Sequence, residues 1–217
     1  MRYLKRYGCH FDYYFNLDSD FEPTGYGNNI FNQKRMEDAG LRPVPVIHDL
    51  YGPEIDYYIQ QKYPIVAIGS KQSKNLLQLH IAVKKIYRAG IKVHLFGSTS
   101  YELITGAPIF FCDSSSWAQT GAFGHINYWN PQKMAPDKTD RIYIGEYIKN
   151  NDKDAHLFMT YKHKAELKEY LKSMGITYAD LMGKGGALCK QIVNLHYYMT
   201  LEQIASEKHR KLGYMTE

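Results

Sequence analysis

The stretch KVHLFGSTSYELITGAPIFFCDSSSWAQTGAFG, residues 92–124, decides the fold prediction. It holds two short apolar segments, 92–96 and 109–112, separated by enough residues for one short helix. Each segment ends in a cluster rich in glycine or serine, as a buried parallel strand does where it leaves its sheet. Asp113 directly follows the second segment, so we expect its carboxylate at the edge of a parallel sheet, where such folds carry their chemistry.

The same alternation of strand and helix extends toward the N-terminus. Strands are predicted over residues 12–17, 43–47, 65–68, 92–96 and 109–112, and helices over 28–39 (capped by Asn28 or Asn29), 54–62 and 75–89. Strands that alternate with helices, without a hairpin signal between them, indicate parallel βαβ units. The strand ends fall at Asp18, His48, Gly69, Gly97 and Asp113. This arrangement of five βα units favours the α/β class and a TIM-type (β/α)8 barrel.

The pattern changes after residue 124. We expect a partial barrel over 1–124, a connecting loop or edge segment over 125–161, and a helical C-terminal appendage over 162–217. Within the connecting segment, residues 125–150 are expected to form a loop with a short strand or edge hairpin. Helices of the appendage are predicted over 162–174 and 178–182, with one more in each of the ranges 186–198 and 200–211.

Composition is that of a globular domain with a sizeable core. The 217 residues are 44% hydrophobic and 23% charged, and their formal net charge of +5 permits nucleic-acid binding without requiring it. Three cysteines, Cys9, Cys112 and Cys189, lie far apart without metal-ligand spacing, so we expect neither a disulfide framework nor a metal site. Because no apolar run reaches the length of a membrane span, we expect a cytoplasmic protein that does not bind a membrane.

Four motifs, PVPVIH, VAIGS, KVHLFGSTS and FFCDSSSWAQTGAFG, occur in an order that resembles the tRNA-guanine transglycosylase superfamily. The resemblance is strongest to the phage branch, the DNA 7-deazaguanine transglycosylases, and it covers residues 12–124. Its best single motif is an aspartate followed eleven residues later by a glycine, here Asp113 and Gly124. The resemblance implies that guanine in phage DNA is replaced by a 7-deazaguanine such as a preQ0-like base, without a cofactor, in an infected bacterial cell.

The resemblance also assigns roles to residues at the strand ends. Asp113 would be the nucleophile that attacks the anomeric carbon of the sugar, a reaction for which a carboxylate is competent. Asp18 would accept hydrogen bonds from the guanine N1–H and exocyclic amine, with Asp20 as a rival two residues later. Contacts to the base would come from His48, Gly69 and Gly97, and contacts to the nucleic acid from Ser98, Ser114 and Trp117.

Each of these roles competes with a structural one. Asp113 and the serines that follow it could cap the next helix, and His48 stands where the tRNA enzymes carry a glutamine. Gly69 and Gly97 suit a tight turn as well as the close approach of a base. His94, in the middle of a predicted strand, is expected to be a core histidine with satisfied hydrogen bonds.

Two features of the family are missing from the sequence. The Cys/His zinc cluster of the tRNA enzymes is absent, which makes tRNA a less favoured substrate than DNA. The DSG-type aspartate that serves the family as acid/base partner is also absent, and five strands do not close an eight-stranded barrel. The resemblance therefore implies that the chain holds only the C-terminal five βα units of the barrel, and we expect a separately encoded partner to supply the missing N-terminal strands.

Two alternative functions remain open at this point. The chain could be an inactive or split-gene fragment that acts as a nucleic-acid-binding or structural subunit, and ELKEYLKSMGITYADL (166–181) loosely resembles a helix-turn-helix. It could also be an unrelated barrel hydrolase that acts on sugars.

Overall fold

The computed structural model describes residues 1–16, 25–146 and 154–214. The chain divides into two compact units, the first formed by Met1–Asp113 with Leu212–Glu217 and the second by Ser114–Lys211. Elements of the first unit are α1 (Arg2–Tyr7), α2 (Tyr26–Asp38), β1 (Val46–Ile47), α3 (Glu54–Gln60), β2 (Ile65–Ile68), α4 (Leu76–Arg88), β3 (Lys92–Leu95), α5 (Tyr101–Thr105) and β4 (Phe111–Cys112). Elements of the second are α6 (Ser116–Ala122), β5 (His125–Trp129), β6 (Thr139–Tyr143), β7 (Ala155–Leu157), α7 (Lys164–Ser173), α8 (Tyr178–Met182) and α9 (Gly186–Lys211).

The sheet of the first unit is parallel, and its order β1-β2-β3-β4 follows the order of the chain. A further parallel bridge joins Phe15 to Val44, next to the start of β1. The predicted α/β class with a parallel sheet is therefore confirmed. Because a doubly wound sheet reverses its strand order at a switch point, the sequential order favours the barrel-type arrangement, which stays a prediction.

The two faces of this sheet are packed differently. One face carries strand residues such as Val66 and Ile68, which share a core cluster with residues of α3 and α4. The opposite face carries Ile65 and Ala67 in a smaller cluster with aromatic rings, among them Phe96. Successive residues of a strand point to opposite faces, so β2 serves both clusters. Helices thus contribute to the cluster on one face, while strand residues and aromatic rings form the other.

α2 begins earlier than predicted. Its first residue is Tyr26 and its N-cap is Gly25, so neither Asn28 nor Asn29 caps it, and that expectation is wrong. Asn29 is instead a buried residue of the first helical turns. Its amide nitrogen lies 3.4 Å from Nδ1 of His48, inside the unit, and not at the end of the helix.

In the second unit, β5 and β6 form an antiparallel pair, and β7 joins β6 in parallel. The edge hairpin predicted within 125–161 is therefore confirmed. The two helices expected within 186–198 and 200–211 are wrong, because α9 is one continuous helix of 26 residues. Its buried residues Val193, Tyr197 and Leu201 repeat every four positions across the predicted break, so a single helix buries one continuous face.

Among the helices that the structure describes, none is long and apolar enough to cross a membrane.

Candidate active site

The residues that follow the four strands of the first unit share one edge of its sheet. The strand ends are in register, with Ile47, Ile68, Leu95 and Cys112 as neighbours across the ladder. The residues after them are His48, Gly69, Phe96 and Asp113, and Gly97 follows Phe96. We call this group of five residues the carboxyl edge. The structure therefore brings the predicted residues His48, Gly69, Gly97 and Asp113 to one side of the sheet.

Asp113 leaves β4 with its carboxylate directed at the turn that follows β3. Its backbone N–H donates to the carbonyl of Leu95 at 3.3 Å, which extends the ladder by one residue. Its Oδ1 accepts a hydrogen bond of 2.9 Å from the backbone N–H of Gly97. Gly97 has a φ of +66°, which glycine adopts without steric cost, so the turn can present this N–H to the carboxylate. The Asp113 side chain is 57% exposed and so accessible to a substrate.

His94 lies beside Asp113, on the face of β3 that carries the aromatic cluster. Its Nε2 is 3.7 Å from Oδ2 of Asp113, beyond hydrogen-bond distance but close enough for an electrostatic contact. The ring packs against Phe15 and Phe96, at centroid distances of 4.8 and 4.5 Å. The side chain is only 8% exposed, and no residue that the structure describes forms a hydrogen bond with its Nε2. His94 is thus a buried strand residue, as expected, but the expectation that its hydrogen bonds are satisfied is wrong for Nε2.

The surroundings of His94 set its charge. Burial lowers the pKa of the imidazole, and the carboxylate of Asp113 acts in the opposite direction with the smaller effect. The ring is therefore predominantly neutral at pH 7. A neutral imidazole with its proton on Nε2 directs that N–H at Asp113, and movement of a few tenths of an ångström would complete the hydrogen bond.

His48 is buried at the carboxyl edge and held from two sides. Its backbone N–H donates to Oε2 of Glu54 at 2.5 Å, and the same oxygen accepts the N–H of Asp49 at 3.1 Å. Its Nδ1 lies 3.4 Å from the amide nitrogen of Asn29. Asn16 in turn donates from Nδ2 to the carbonyl of Asn29 at 3.0 Å. This network joins the segment after Phe15, helix α2 and the loop after β1, and so fixes the position of the imidazole.

Sequence reasoning missed Asn16, Asn29 and Glu54 as members of this network. A signal was available for one of them, because Asn29 and Gln33 are four residues apart on one face of α2 and both are buried. Glu54 is 1% exposed, and burial raises the pKa of its carboxyl, while the N–H groups of Asp49 and His48 oppose the shift. Nothing in the local sequence distinguishes this glutamate from an ordinary first-turn residue of a helix.

Gly69 has a packing reason for its lack of a side chain. A Cβ built there would lie 3.1 Å from Cγ1 of Val46 and 3.5 Å from Cδ2 of Phe96. A Cβ on Gly97 would meet no atom within 4 Å, so the requirement there is the positive φ and not space. Close packing therefore explains why residue 69 is a glycine, whereas the backbone conformation explains why residue 97 is one.

The other predicted residues lie elsewhere. Ser98 follows Gly97 and is half-buried. Ser114 and Trp117 belong to the second unit, where the Ser114 hydroxyl donates to Oγ of Ser116 at 2.6 Å and accepts the N–H of Ser116 at 3.0 Å. Ser114 therefore shapes the turn into α6, but the N-cap of this helix is Ser115, which makes no side-chain cap hydrogen bond, so the alternative that Asp113 and its serines cap the helix is not supported. Asp18 and its rival Asp20 lie outside the described residues.

The second unit has a polar pocket of about 320 Å³ around Asp140, which sequence reasoning did not single out. Oδ2 of Asp140 accepts hydrogen bonds from Tyr161 at 2.5 Å and from Asn130 at 2.8 Å, and Oδ1 lies 3.2 Å from Nζ of Lys133. Burial acts to raise the pKa of Asp140, but the hydrogen bonds from Tyr161, Asn130 and Lys133 outweigh it and leave the pKa below its usual value. Protein donors occupy this carboxylate, which ties β6 to the segment after β7.

Comparisons with protein-family models, curated proteins and solved structures give no match to this chain. Among the residues that the structure describes, no group of three or more His, Cys, Asp and Glu side chains is placed to hold a metal ion.

Proposed function

We propose that the chain is the nucleophile-bearing part of a DNA guanine transglycosylase. The observation that carries the proposal is the arrangement of Asp113, an exposed carboxylate at the carboxyl edge that accepts the N–H of Gly97 and faces His94. Parallel α/β folds carry their reactive groups at this edge of the sheet. The resemblance in the order and spacing of four motifs supplies the reaction class.

The reaction proceeds in two displacements at the sugar C1′ atom. In the first, an oxygen of Asp113 forms a bond to C1′ while the bond from C1′ to N9 of guanine breaks. The bonding electrons leave with guanine, which takes up a proton. In the second, the incoming 7-deazaguanine gives the proton of its five-membered ring nitrogen to the conjugate base of the acid that protonated guanine. That nitrogen then bonds to C1′ as the ester to Asp113 breaks, so the carboxylate is regenerated and the configuration at C1′ is retained.

His94 has a positioning role in this scheme. One carboxylate oxygen of Asp113 accepts the N–H of Gly97, and the other faces Nε2 of His94. Donors on both oxygens would hold the carboxylate in one orientation for attack. His94 is on the side of the nucleophile, and the leaving base departs from the opposite side of the sugar. The acid that protonates the base is therefore assigned to a separately encoded partner, which would also add strands to the open sheet.

The remaining substrate assignments follow from the resemblance. Asp18 would accept the N1–H and exocyclic amine of the base, with His48, Gly69 and Gly97 around it. DNA is the preferred nucleic acid and tRNA the less favoured one, and Ser98, Ser114 and Trp117 are the contacts proposed for it. Asp18→Ala should weaken binding of free 7-deazaguanine far more than binding of DNA, which equilibrium binding to each ligand would measure.

The test is base exchange by the chain together with its partner, on DNA that carries labelled guanine. Asp113→Asn should abolish release of label and leave DNA binding within about twofold, because the amide has the same shape but is a poor nucleophile. Asp56→Asn is the matched control, since the Asp56 side chain is 60% exposed and lies in a surface ion pair with Lys85. Unchanged exchange by Asp113→Asn would remove Asp113 from this role.

A second candidate function is that of a subunit without catalysis, and one observation favours it. β4 lies at one edge of the described sheet, and its Phe111 is 39% exposed, which suits a surface that another chain covers. Under this alternative the chain binds a partner or DNA with equal affinity as wild type and as Asp113→Asn. No base exchange would then occur in any combination with the partner.

A further inference from the structure

The long helix α9 of the second unit is apolar on two opposite sides. Its inner side holds buried residues such as Val193, Tyr197 and Leu201, and packs against α6, α8 and β5 of the same unit. The outer side carries four apolar residues that remain exposed: Leu188 (62%), Ile192 (46%), Leu195 (47%) and Met199 (54%). At 100° per residue these four fall within a stripe about 60° wide, opposite the buried face. We call them the outer stripe.

The spacing of the outer stripe is that of a helix that packs against another helix. Its residues are separated by four, three and four positions, which is the alternation of a coiled-coil seam. Isolated exposed apolar residues are common on any protein, but a continuous row of them over three turns marks an interaction surface. The inner side already satisfies the core of the unit, so the outer stripe is not needed for that packing.

The stripe is complementary to itself in the antiparallel direction. When two copies of α9 are laid antiparallel about the centre of the stripe, Leu188 of one copy meets Met199 of the other, and Ile192 meets Leu195. Each contact then occurs twice, as it does in an isologous interface with twofold symmetry. A second copy of this chain therefore fits the surface without any further sequence.

Charges at the ends of the stripe select the same direction. Lys184 precedes α9 and Glu202 lies one turn beyond Met199, and both side chains are exposed. In the antiparallel arrangement Glu202 of one copy lies beside Lys184 of the other, so two opposite-charge pairs flank the apolar contacts. In a parallel arrangement Glu202 would face Glu202, which is unfavourable.

We propose that the outer stripe of α9 is a self-association surface, through which two copies of the chain form an antiparallel dimer. Stable dimers bury about 800 Å² on each partner, and four half-exposed side chains supply less than that. The dimer should therefore dissociate in the micromolar range, at roughly 10–100 µM. This proposal is independent of the proposed transglycosylase activity.

Sedimentation equilibrium over a concentration series tests the dimer on the full chain. Ile192→Glu combined with Leu195→Glu should raise the dissociation constant at least about 100-fold, since charges would be buried at the centre of the contact. Leu77→Glu is the matched control, because Leu77 is a 72% exposed leucine on α4. Circular dichroism verifies that the variants fold. A wild-type chain that stays monomeric at 1 mM, or a dimer that survives the double change, would overturn the proposal.

Charge reversal tests the direction without changing the apolar residues, and cross-linking tests it with a pair of cysteines placed within the outer stripe. Glu202→Lys alone and Lys184→Glu alone should each weaken the dimer about two- to fivefold, and the double reversal should restore it. Leu188→Cys with Met199→Cys should give a covalent dimer on mild oxidation, above the background from the exposed Cys9 and Cys112 in wild type. Leu188→Cys alone should not. Cross-linking by the single variant as strong as by the pair would contradict the antiparallel arrangement.

Discussion

Each unit places an aspartate near a histidine. The two aspartates differ in their exposure and in the hydrogen-bond donors that their carboxylates accept from. Asp140 in the second unit is 8% exposed and accepts hydrogen bonds from side chains of its own unit, with His156 at 3.9 Å. Asp113 in the first unit is 57% exposed, with a backbone donor on one oxygen and His94 near the other. A carboxylate occupied by protein donors stabilises a fold, whereas one that faces solvent can attack a substrate. The comparison therefore supports a structural role for Asp140, and it leaves Asp113 accessible for the chemical role proposed above.

The largest expected effect on stability comes from Asp140→Ala. Removal of this acceptor leaves the Tyr161 hydroxyl proton without a partner in a buried site, while the Asn130 amide keeps only its bond of 3.1 Å to the Tyr161 oxygen, so the free energy of unfolding should fall by about 3 kcal/mol. Chemical denaturation followed by circular dichroism measures it. Glu169→Ala, a 75% exposed carboxylate in the same unit, should cost less than about 1 kcal/mol. Equal losses from the two changes would break the assignment of a structural role to Asp140.

Glu54→Ala should have the next largest effect. Two backbone N–H groups, those of His48 and Asp49, would lose their acceptor, at a cost of about 2 kcal/mol in unfolding free energy. Glu54→Gln keeps one carbonyl oxygen at this place and should cost less than half as much. Denaturant titration of both variants makes the measurement, and an Ala variant as stable as wild type would show that the loop after β1 is held in another way.

The pH dependence of the free energy of unfolding tests the charge state of His94, the histidine beside Asp113. Because burial lowers the pKa of His94 in the folded protein, the unfolded chain takes up a proton first as the pH falls. The stability contributed by neutral His94 is present above about pH 6.5 and is lost as the pH falls through the folded-state pKa. His94→Gln should reduce the loss between pH 7 and 5, as seen in thermal melts at each pH. A slope in His94→Gln equal to that of wild type would contradict the pKa direction.

Asp113→Asn is expected to have the smallest effect on stability. The asparagine carbonyl still accepts the N–H of Gly97, and the side chain remains in solvent, so the unfolding free energy should change by less than about 0.5 kcal/mol. The same variant should lose base exchange. Loss of activity together with a loss of stability as large as that of Asp140→Ala would mean that Asp113 is a structural residue as well.

Much of the first unit was predictable because strand and helix patterns repeat locally. The apolar segments that became β2 and β3 are bounded by glycines and alternate with helices, which indicates a parallel sheet before any contact is known. This alternation also predicted the positions at which the strands end, at His48, Gly69, Gly97 and Asp113. The continuous α9 was not predicted, since residues 198–200 contain nothing that distinguishes a helix end from a helix interior except the residues buried beneath them.

The sequence was sufficient for the class of fold and for the carboxylate at the strand end, because hydrophobic periodicity and turn residues act over a few neighbouring positions. No local sequence pattern predicted that His94 lies close to Asp113 or that Tyr161 donates a hydrogen bond to Asp140. Those contacts join residues about twenty positions apart, and they depend on the register and twist of paired strands and on which face each side chain takes. The unsatisfied Nε2 of His94 and the outer stripe of α9 likewise became visible only once burial was known.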